Sequence, residues 1–327
     1  MSDQPRVFVT RRLPGATAAA RLAQRCAVDT WPDDDPPPPA ELAGRSSDCD
    51  GILAMITDAV DASLLDRCSK LRVVAQMAVG YDNIDVDAAT ERGVLVTNTP
   101  DVLTDATADL AWALLMAAAR RLSEGERAIR AGEWGPWHPS WLTGAEVTGA
   151  TLGIVGPGRI GRAVAERAAG FRMRVLYCGR HAVPDFPGEH AEFDDLLARS
   201  DFISVHVPLT SETAHLFDAA AFERMQPHAI LINTARGGIV DQDALRAVLS
   251  SGRIGGAALD VTTPEPLPLD DPLLAAPNLT ITPHLGSATL PTRIKMAELA
   301  VDGLLAGVGG ERPSHLVNPA AWERRRR

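Results

Sequence analysis

Short runs of apolar residues, separated by segments with helical periodicity, recur along both halves of the chain. Four runs of strand length lie at 6–10, 51–55, 71–76 and 93–98. Six more follow at 151–155, 174–178, 202–207, 229–233, 256–260 and 279–282. Alternation of strands and helices predicts an α/β fold with parallel sheets covered by helices on both faces. Six strands is the number found in a doubly wound, dinucleotide-binding Rossmann domain, so the later six runs predict such a domain.

The helical segments predict how the chain divides into domains. A long helix is predicted over 104–122, where Thr104 or Asp105 can cap it, and others at about 160–169, 192–198, 218–224 and 241–250. A last helix, about 290–305, follows the second domain and has no sheet of its own. We therefore expect it to pack on the first domain. This predicts a discontinuous, flavodoxin-like substrate domain over 1–101 and 288–327, and a Rossmann domain over 102–287. The proline-rich segment 33–39 is expected to be a surface loop.

Composition narrows the function classes. A length of 327 residues suggests about two domains, and the net charge of −10 argues against binding to nucleic acid or to an anionic membrane. The basic run 324–327 is a local exception, expected to be a solvated tail. The four cysteines show no metal-binding spacing and are interpreted as reduced thiols of a cytoplasmic protein. No apolar run reaches the ~18–20 residues that span a bilayer.

A Gly-x-Gly-x-x-Gly motif joins the first strand of the second domain to a helix. Gly156 allows a tight turn, Gly158 lets the backbone approach phosphates, and Gly161 lets the helix pack against the strand. The N–H groups at the start of the helix face the anion. The strand before the motif and the helix after it favour a dinucleotide site over an ordinary glycine turn.

Pro157 stands between the first two glycines and has no N–H group. The backbone amides of Arg159 and Ile160 are therefore expected to hold the phosphates.

The second strand of this domain indicates which cofactor binds. NAD-binding Rossmann folds carry an acidic residue there, about 20 residues past the glycines, that holds the ribose hydroxyls. Here Gly179 occupies that position and Arg180 follows it. A carboxylate would repel a 2′-phosphate, whereas a guanidinium can bind it. We therefore predict NADPH/NADP⁺, with NADH as a weaker cofactor. The alternative is that Arg180 is a solvent-facing turn residue.

Three later segments each carry a functional side chain just beyond a strand, where open α/β sheets bind ligands. They supply Arg236, Glu265 and His284. Each of these residues alone could be structural, but the three together in their motifs indicate a catalytic site.

With these motifs the chain resembles the D-isomer-specific 2-hydroxyacid dehydrogenases over nearly its whole length. The resemblance rests on segments 79–82 and 99–105, GPGRIG at 156–161, NTARG at 233–237, LDVTTPEP at 259–266 and PHLGSAT at 283–289. Within the family it looks most like the NADPH-dependent glyoxylate/hydroxypyruvate reductases. Pro157 departs from the apolar residue common in the family at that point.

The resemblance implies roles for the three side chains. His284 would donate the proton to the carbonyl oxygen of a small 2-keto acid, and Glu265 would fix its tautomer and raise its pKa above ~6.5. Arg236 would hold the substrate carboxylate and polarise the carbonyl. The backbone N–H groups of Val79 and Gly80 would bind the other carboxylate oxygen. Further cofactor contacts are expected at Thr104, Pro208, Thr234, Ala235, Asp260 (near the nicotinamide carboxamide) and Gly286.

A loop rich in glycine and proline carries Trp134, Trp137 and Trp141. That much aromatic surface indicates contact with another chain, or a lid. The resemblance implies a homodimer formed through 105–145, with Trp141 reaching the partner's active site. The alternative is a loop packed on its own domain.

Two groups of alternatives remain. One is a related enzyme for another small D-2-hydroxyacid, NADH-linked or acting on D-3-phosphoglycerate. A phosphorylated substrate would call for extra basic residues in the first domain, which offers few. The other is a nucleotide-sensing scaffold similar to the corepressors that share this fold, against which the acidic charge and the reductase-like segments count.

Overall fold

A computed structural model describes residues 4–326. The chain separates into two compact units. The first contains the residues up to Leu103 together with those from Thr289 onward, and the second is Thr104–Ala288. Each unit has its own parallel sheet.

The strands are β1 Arg6–Val9, β2 Ala27–Thr30, β3 Gly51–Ala54, β4 Val73–Gln76, β5 Leu95–Thr97, β6 Thr151–Val155, β7 Arg174–Cys178, β8 Glu189–His190, β9 Phe202–Val205, β10 Ile230–Asn233, β11 Gly256–Leu259 and β12 Leu279–Ile281. The helices are α1 Thr17–Arg25, α2 Pro39–Ser46, α3 Ala62–Arg67, α4 Val86–Glu91, α5 Thr104–Ala119, α6 Leu122–Arg130, α7 Arg159–Arg167, α8 Phe193–Arg199, α9 Ala219–Arg224, α10 Gln242–Ser250, α11 Leu290–Val308 and α12 Ala321–Arg324.

The first unit is built on a five-stranded sheet of order β2-β1-β3-β4-β5, with every neighbouring pair parallel. This is the strand order of flavodoxin-like folds. Strands β3 and β4 are buried on both faces, which explains their continuous apolar sequence. Helix α11 packs against β3, β4 and β5 and buries Met296, Ala300 and Leu304. The last long helix therefore belongs to the sheet formed by the first hundred residues.

The second unit is a seven-stranded parallel sheet of order β12-β11-β10-β9-β6-β7-β8. Helices α5 and α7 cover one face in an apolar cluster that includes Trp112 and Val164. Helices α8, α9 and α10 cover the other face through Leu196, Phe222 and Leu245. The strand order reverses between β6 and β9, so the turn after β6 lies at the switch point where doubly wound folds bind ligands.

The structure departs from the sequence-based expectation in several elements. The Rossmann sheet has seven strands, because the two-residue β8 pairs with β7 and was not predicted. Strand β2 was also missed, since all four of its residues are exposed at a sheet edge. The predicted helix 104–122 ends at Ala119, before Arg121 in the left-handed region at φ 54°. Pro39, the last residue of the predicted loop 33–39, is instead the first residue of α2.

Two arginines of the basic run at 324–327 are bound to the rest of the chain. Arg326 donates to the carbonyl oxygens of Cys68 at 2.6 Å and Ser69 at 2.9 Å, and its Nε donates to that of Arg92 at 2.9 Å. The guanidinium of Arg325 lies 3.7 Å from the ring centroid of Trp322. The expectation of a solvated tail is wrong for these two arginines, because backbone carbonyls and an aromatic ring bind their charges. Arg327 lies outside the described residues.

Candidate active site

Arg236, Glu265 and His284 lie on the loops that follow β10, β11 and β12. These strands are parallel neighbours in register, so their carboxyl ends meet at one edge of the sheet. The three side chains are contributed by one unit of the fold, and their mutual geometry is set by a single sheet.

Glu265 and His284 form a direct pair. Nδ1 of His284 lies 2.8 Å from Oε2 of Glu265, and Oε1 accepts the backbone N–H of Thr262 at 3.0 Å. The side chain of Glu265 is 34% exposed and that of His284 is 28% exposed, so the pair is partly shielded from water. Since Nδ1 faces the carboxylate, Nε2 is the ring nitrogen left for a ligand.

Glu265 is held in its ionised form. Burial alone would raise the pKa of its carboxyl group. The hydrogen bond from His284, the His284 charge, the Thr262 N–H and the charge of Arg236 outweigh that effect and lower the pKa below its ordinary value of 4.5. A negative charge next to the imidazole is therefore a permanent feature of the site at neutral pH.

Arg236 is presented by a turn that the buried Asn233 braces. The Asn233 amide nitrogen donates to the carbonyl oxygen of Arg236 at 2.8 Å, and its Oδ1 accepts the N–H of Ala235 at 3.0 Å. Nη1 of Arg236 also donates to the carbonyl oxygen of Ala235 at 2.8 Å. No role was predicted for Asn233, although it is the first residue of the NTARG motif.

Asp260 anchors the loop that carries His284. Its Oδ1 accepts the Leu285 N–H at 2.7 Å and the Thr282 hydroxyl at 2.6 Å, and its Oδ2 accepts the Gly286 N–H at 2.8 Å. Asp260 is only 1% exposed. Its carboxylate thus stabilises His284 in the left-handed region, at φ 55°, which a non-glycine residue rarely adopts. The predicted contact with the nicotinamide carboxamide stays a prediction, for which Oδ2 retains an acceptor position.

Gln242, at the start of α10, holds the loop that carries Glu265. Its amide nitrogen donates to the carbonyl oxygen of Thr263 and its Oε1 accepts the Thr263 N–H, both at 2.6 Å. Gly237 reinforces the same region, because a Cβ there would lie 2.1 Å from the carbonyl carbon of Thr262. No local sequence signal marks either residue, since both contacts join segments that are distant along the chain.

The glycine turn after β6 has the shape that a pyrophosphate requires. Gly156 has φ 103°, and a Cβ on it would lie 2.7 Å from the carbonyl carbon of His206. Gly158 caps α7, is exposed, and has open space where its Cβ would be. Arg159 and Ile160 follow as the first helical residues and Gly161 is buried. Open space in front of a helix N-terminus fits an anionic group.

Two further features of this edge fit a dinucleotide. Oγ1 of Thr234 is buried and finds no hydrogen-bond partner within residues 4–326, so a polar ligand group could satisfy it. Gly179 and Arg180, directly after β7, are both exposed.

Of the other residues predicted to contact the cofactor, Pro208 is exposed after β9 and Ala235 lies half-buried after β10. Thr104 is the first residue of α5 and Gly286 is buried beside Asp260.

His206 is excluded as a proton donor. Desolvation lowers its pKa to about 3, and its Nε2 lies 2.8 Å from the Ser204 hydroxyl oxygen. The imidazole is therefore neutral at physiological pH, and it is the backbone of His206 that lies against Gly156.

Val79 and Gly80 lie in the other unit, in the loop after β4. The side-chain amide nitrogen of Asn98 donates to the Val79 carbonyl oxygen at 2.8 Å, and that of Gln76 donates to the Gly80 carbonyl oxygen at 3.3 Å. These bonds fix the orientation of the loop backbone. Its predicted contact with the substrate carboxylate stays a prediction.

The tryptophan loop exposes much of its aromatic surface. Trp134 is 69% exposed, Trp137 86% and Trp141 42%. This exposure favours the predicted contact with another chain, or a lid, over a loop packed on its own unit. Leu122 and Ile129 on the neighbouring α6 are also largely exposed, which extends the apolar surface.

Within residues 4–326, no group of three or more His, Cys, Asp and Glu side chains is positioned to hold a metal ion. No helix in the same range has the length and apolar character that crossing a membrane requires.

Comparison with known proteins identifies the family. The model of the D-isomer specific 2-hydroxyacid dehydrogenase NAD binding domain matches residues 112–286. A glyoxylate reductase of Korarchaeum cryptofilum is 49% identical and aligns over 96% of both chains. A solved protein of Thermus thermophilus superposes with a TM-score of 0.90 at 48% identity, covering 95% of this chain and 99% of its own.

A Sinorhizobium meliloti structure, an NADPH-dependent glyoxylate/hydroxypyruvate reductase in complex with NADP and malonate, gives a TM-score of 0.85 at 33% identity over 99% of both chains. The similarities to these relatives extend over nearly the whole chain. The protein is an NAD(P)-dependent oxidoreductase, and the chain belongs to the D-isomer specific 2-hydroxyacid dehydrogenase family.

Proposed function

We propose that the protein reduces a small 2-keto acid with NADPH, converting glyoxylate to glycolate and hydroxypyruvate to D-glycerate. The observation that carries this proposal is the His284–Glu265 pair, next to the charge of Arg236, at the sheet edge that also holds the glycine turn. The substrate assignment is supported by relatives named glyoxylate reductase at 44–49% identity.

The chemistry follows from the residues. Bound NADPH supplies a hydride to the carbonyl carbon of the keto acid. His284 donates a proton from Nε2 to the carbonyl oxygen, while Glu265 holds the ring through Nδ1 and stabilises its positive charge. Arg236 binds the substrate carboxylate and stabilises the negative charge that develops on the carbonyl oxygen. The N–H groups of Val79 and Gly80 bind the other carboxylate oxygen.

The preference for NADPH is supported by the turn after β7. A glycine replaces the acidic residue that would repel a 2′-phosphate, and the exposed Arg180 beside it offers a guanidinium. The amides of Arg159 and Ile160 at the start of α7 would hold the pyrophosphate, and the Thr234 hydroxyl, which finds no partner within residues 4–326, would bind a polar group of the cofactor.

We further propose that two copies of the chain form a homodimer through residues 105–145, in the cytoplasm. The exposed Trp134 and Trp137, with Leu122 and Ile129 on α6, support this apolar interface. In the dimer, Trp141 would reach the partner's active site and narrow it around a two- or three-carbon acid.

The test is a set of initial rates with glyoxylate, hydroxypyruvate, a bulkier 2-keto acid and 3-phosphohydroxypyruvate, each with NADPH and with NADH. We expect the highest kcat/KM for the two small acids with NADPH, and a rise in the KM for NADPH in Arg180→Ala. If only the bulky or the phosphorylated acid is turned over efficiently, the proposed substrate assignment is wrong. A cellular phenotype that survives both Arg236→Ala and His284→Ala would favour the corepressor-like alternative.

A further inference from the structure

Pro157 and Gly179 are in contact across the switch point of the Rossmann sheet. A Cβ on Gly179 would lie 2.7 Å from Cδ and 2.9 Å from Cγ of Pro157. Real Cβ atoms essentially never approach another heavy atom to less than 3.0 Å. The ring of Pro157 closes on its own backbone nitrogen, so it cannot rotate away as a leucine or methionine side chain would. A side chain at position 179 therefore requires the glycine turn itself to move.

The backbone around this contact is fixed on both sides. The N–H of Gly156 donates to the carbonyl oxygen of Cys178 at 3.0 Å, which ties the turn to the end of β7. Gly156 is itself confined at φ 103° against His206. The Pro157 ring is therefore held over Gly179 by the residue before each of them. Moving the ring would disturb the same backbone that is expected to bind the phosphates.

We propose that Pro157 is a positioning residue for cofactor specificity: its ring excludes every side chain from position 179. The excluded group that matters is the carboxylate which, in NAD-binding folds, ends the second strand and holds the ribose hydroxyls. The selectivity for NADPH thus depends on a pair of residues, Pro157 and Gly179, in addition to the attraction of Arg180. This inference rests on the proposed NADPH preference, and it explains why a proline occupies the glycine turn.

A double-mutant cycle tests the exclusion directly. The variants are Pro157→Ala, Gly179→Asp and the combination, each assayed for kcat/KM with NADPH and with NADH. Pro157→Ala alone sets the reference activity of the ring-free background, and Gly179→Asp alone should lose NADPH activity without gaining with NADH. With NADH, removing the ring should raise kcat/KM at least about 10-fold more in the Gly179→Asp background than in the wild type, a coupling of about 1.4 kcal/mol. Only the ring-free background leaves room for the aspartate.

Two controls separate shape from charge and from misfolding. Gly170→Asp adds the same charge in the 3-10 turn Ala168–Phe171 that follows α7, where a Cβ meets nothing within 4 Å, and should leave kcat/KM with both cofactors unchanged. Gly179→Ala adds only the excluded Cβ. It should lower the Tm and weaken NADPH binding when Pro157 is present, and do neither in the Pro157→Ala background. Thermal unfolding of every variant verifies that each is folded under assay conditions.

The cycle can fail independently of the proposed function. If Gly179→Asp gains NADH activity equally with and without Pro157, or if the Gly179→Ala effects on Tm are the same in both backgrounds, the exclusion by Pro157 is wrong. If the wild type prefers NADH, the proposed NADPH preference is wrong. The Tm comparison would then still report whether Pro157 and Gly179 are coupled.

Discussion

Nδ1 of His284 lies 2.8 Å from Oε2 of Glu265, and the backbone N–H of Thr262 occupies the other carboxylate oxygen. Glu265 therefore has its orientation fixed by its own loop before it meets the imidazole. The pair joins the loops after β11 and β12, so its geometry depends on the register of two neighbouring strands. With Nδ1 of His284 held in this way, its Nε2 is positioned to face a carbonyl oxygen.

Replacing Glu265 by Gln removes the negative charge and keeps the size of the side chain. We expect kcat/KM for glyoxylate reduction to fall by about 10²-fold, because the imidazolium loses the carboxylate that stabilises it. NADPH binding should be unchanged. The matched control is Glu166→Gln on the exposed part of α7, which should retain wild-type activity. Equal activity in the two variants would contradict the role given to Glu265.

The lowered pKa of Glu265 predicts a pH dependence of stability. The folded-state pKa lies below the ordinary value of 4.5, so the ionised pair stabilises the fold at pH values above that range. This contribution is lost as the pH falls through the folded pKa. The difference in Tm between the wild type and Glu265→Gln should therefore shrink as the pH falls below about 4.5. A difference that grows below that pH would show that the carboxyl is protonated in the fold.

Gln242 should affect catalysis although it lies outside the reacting groups. Gln242→Ala frees the Thr263 backbone and loosens the loop that positions Glu265, so we expect about a 10-fold loss in kcat with little change in the KM for NADPH. Adding Glu265→Gln should cost less than the product of the single effects, because both changes act on one pair. The exposed Gln24→Ala on α1 is the control. Independent, multiplicative effects would mean that Gln242 does not act through Glu265.

Arg236, Glu265 and His284 could be predicted because each follows an apolar strand and lies in a specific motif. NTARG, LDVTTPEP and PHLGSAT fix the positions of Arg236, Glu265 and His284 with no knowledge of the fold. The two parallel sheets followed equally from the alternation of apolar runs, since buried parallel strands are continuously apolar.

Most of the supporting contacts could not be predicted, because they join segments far apart along the chain. Gln242 and the anchoring role of Asp260 depend on which loops the sheet brings together. Asn233 differs, since it braces residues two and three positions further along its own turn. Strand β8 is two exposed polar residues long, which gives no periodicity to detect. The docking of Arg326 depends on carbonyl groups that end α3 and α4, which no local pattern reveals.

The proposed homodimer predicts a change in mass for a variant of the most exposed tryptophan. Trp137→Ser removes the ring that is 86% exposed, and together with Ile129→Ser on α6 it should shift sedimentation from dimer toward monomer. Trp322→Ser, a half-buried tryptophan in the first unit, serves as the control and should leave the mass unchanged. A wild-type protein that sediments as a monomer at micromolar concentration would rule out the interface.

The central claim is that His284 donates the proton in an NADPH-dependent reduction, and His284→Gln tests it most directly. The measurement pairs kcat for glyoxylate with the Kd for NADPH, determined by fluorescence titration on the same preparation. We predict a loss in kcat of at least about 10²-fold with a Kd within about 3-fold of the wild type. A variant that binds NADPH normally and keeps a third or more of the wild-type kcat would contradict the account.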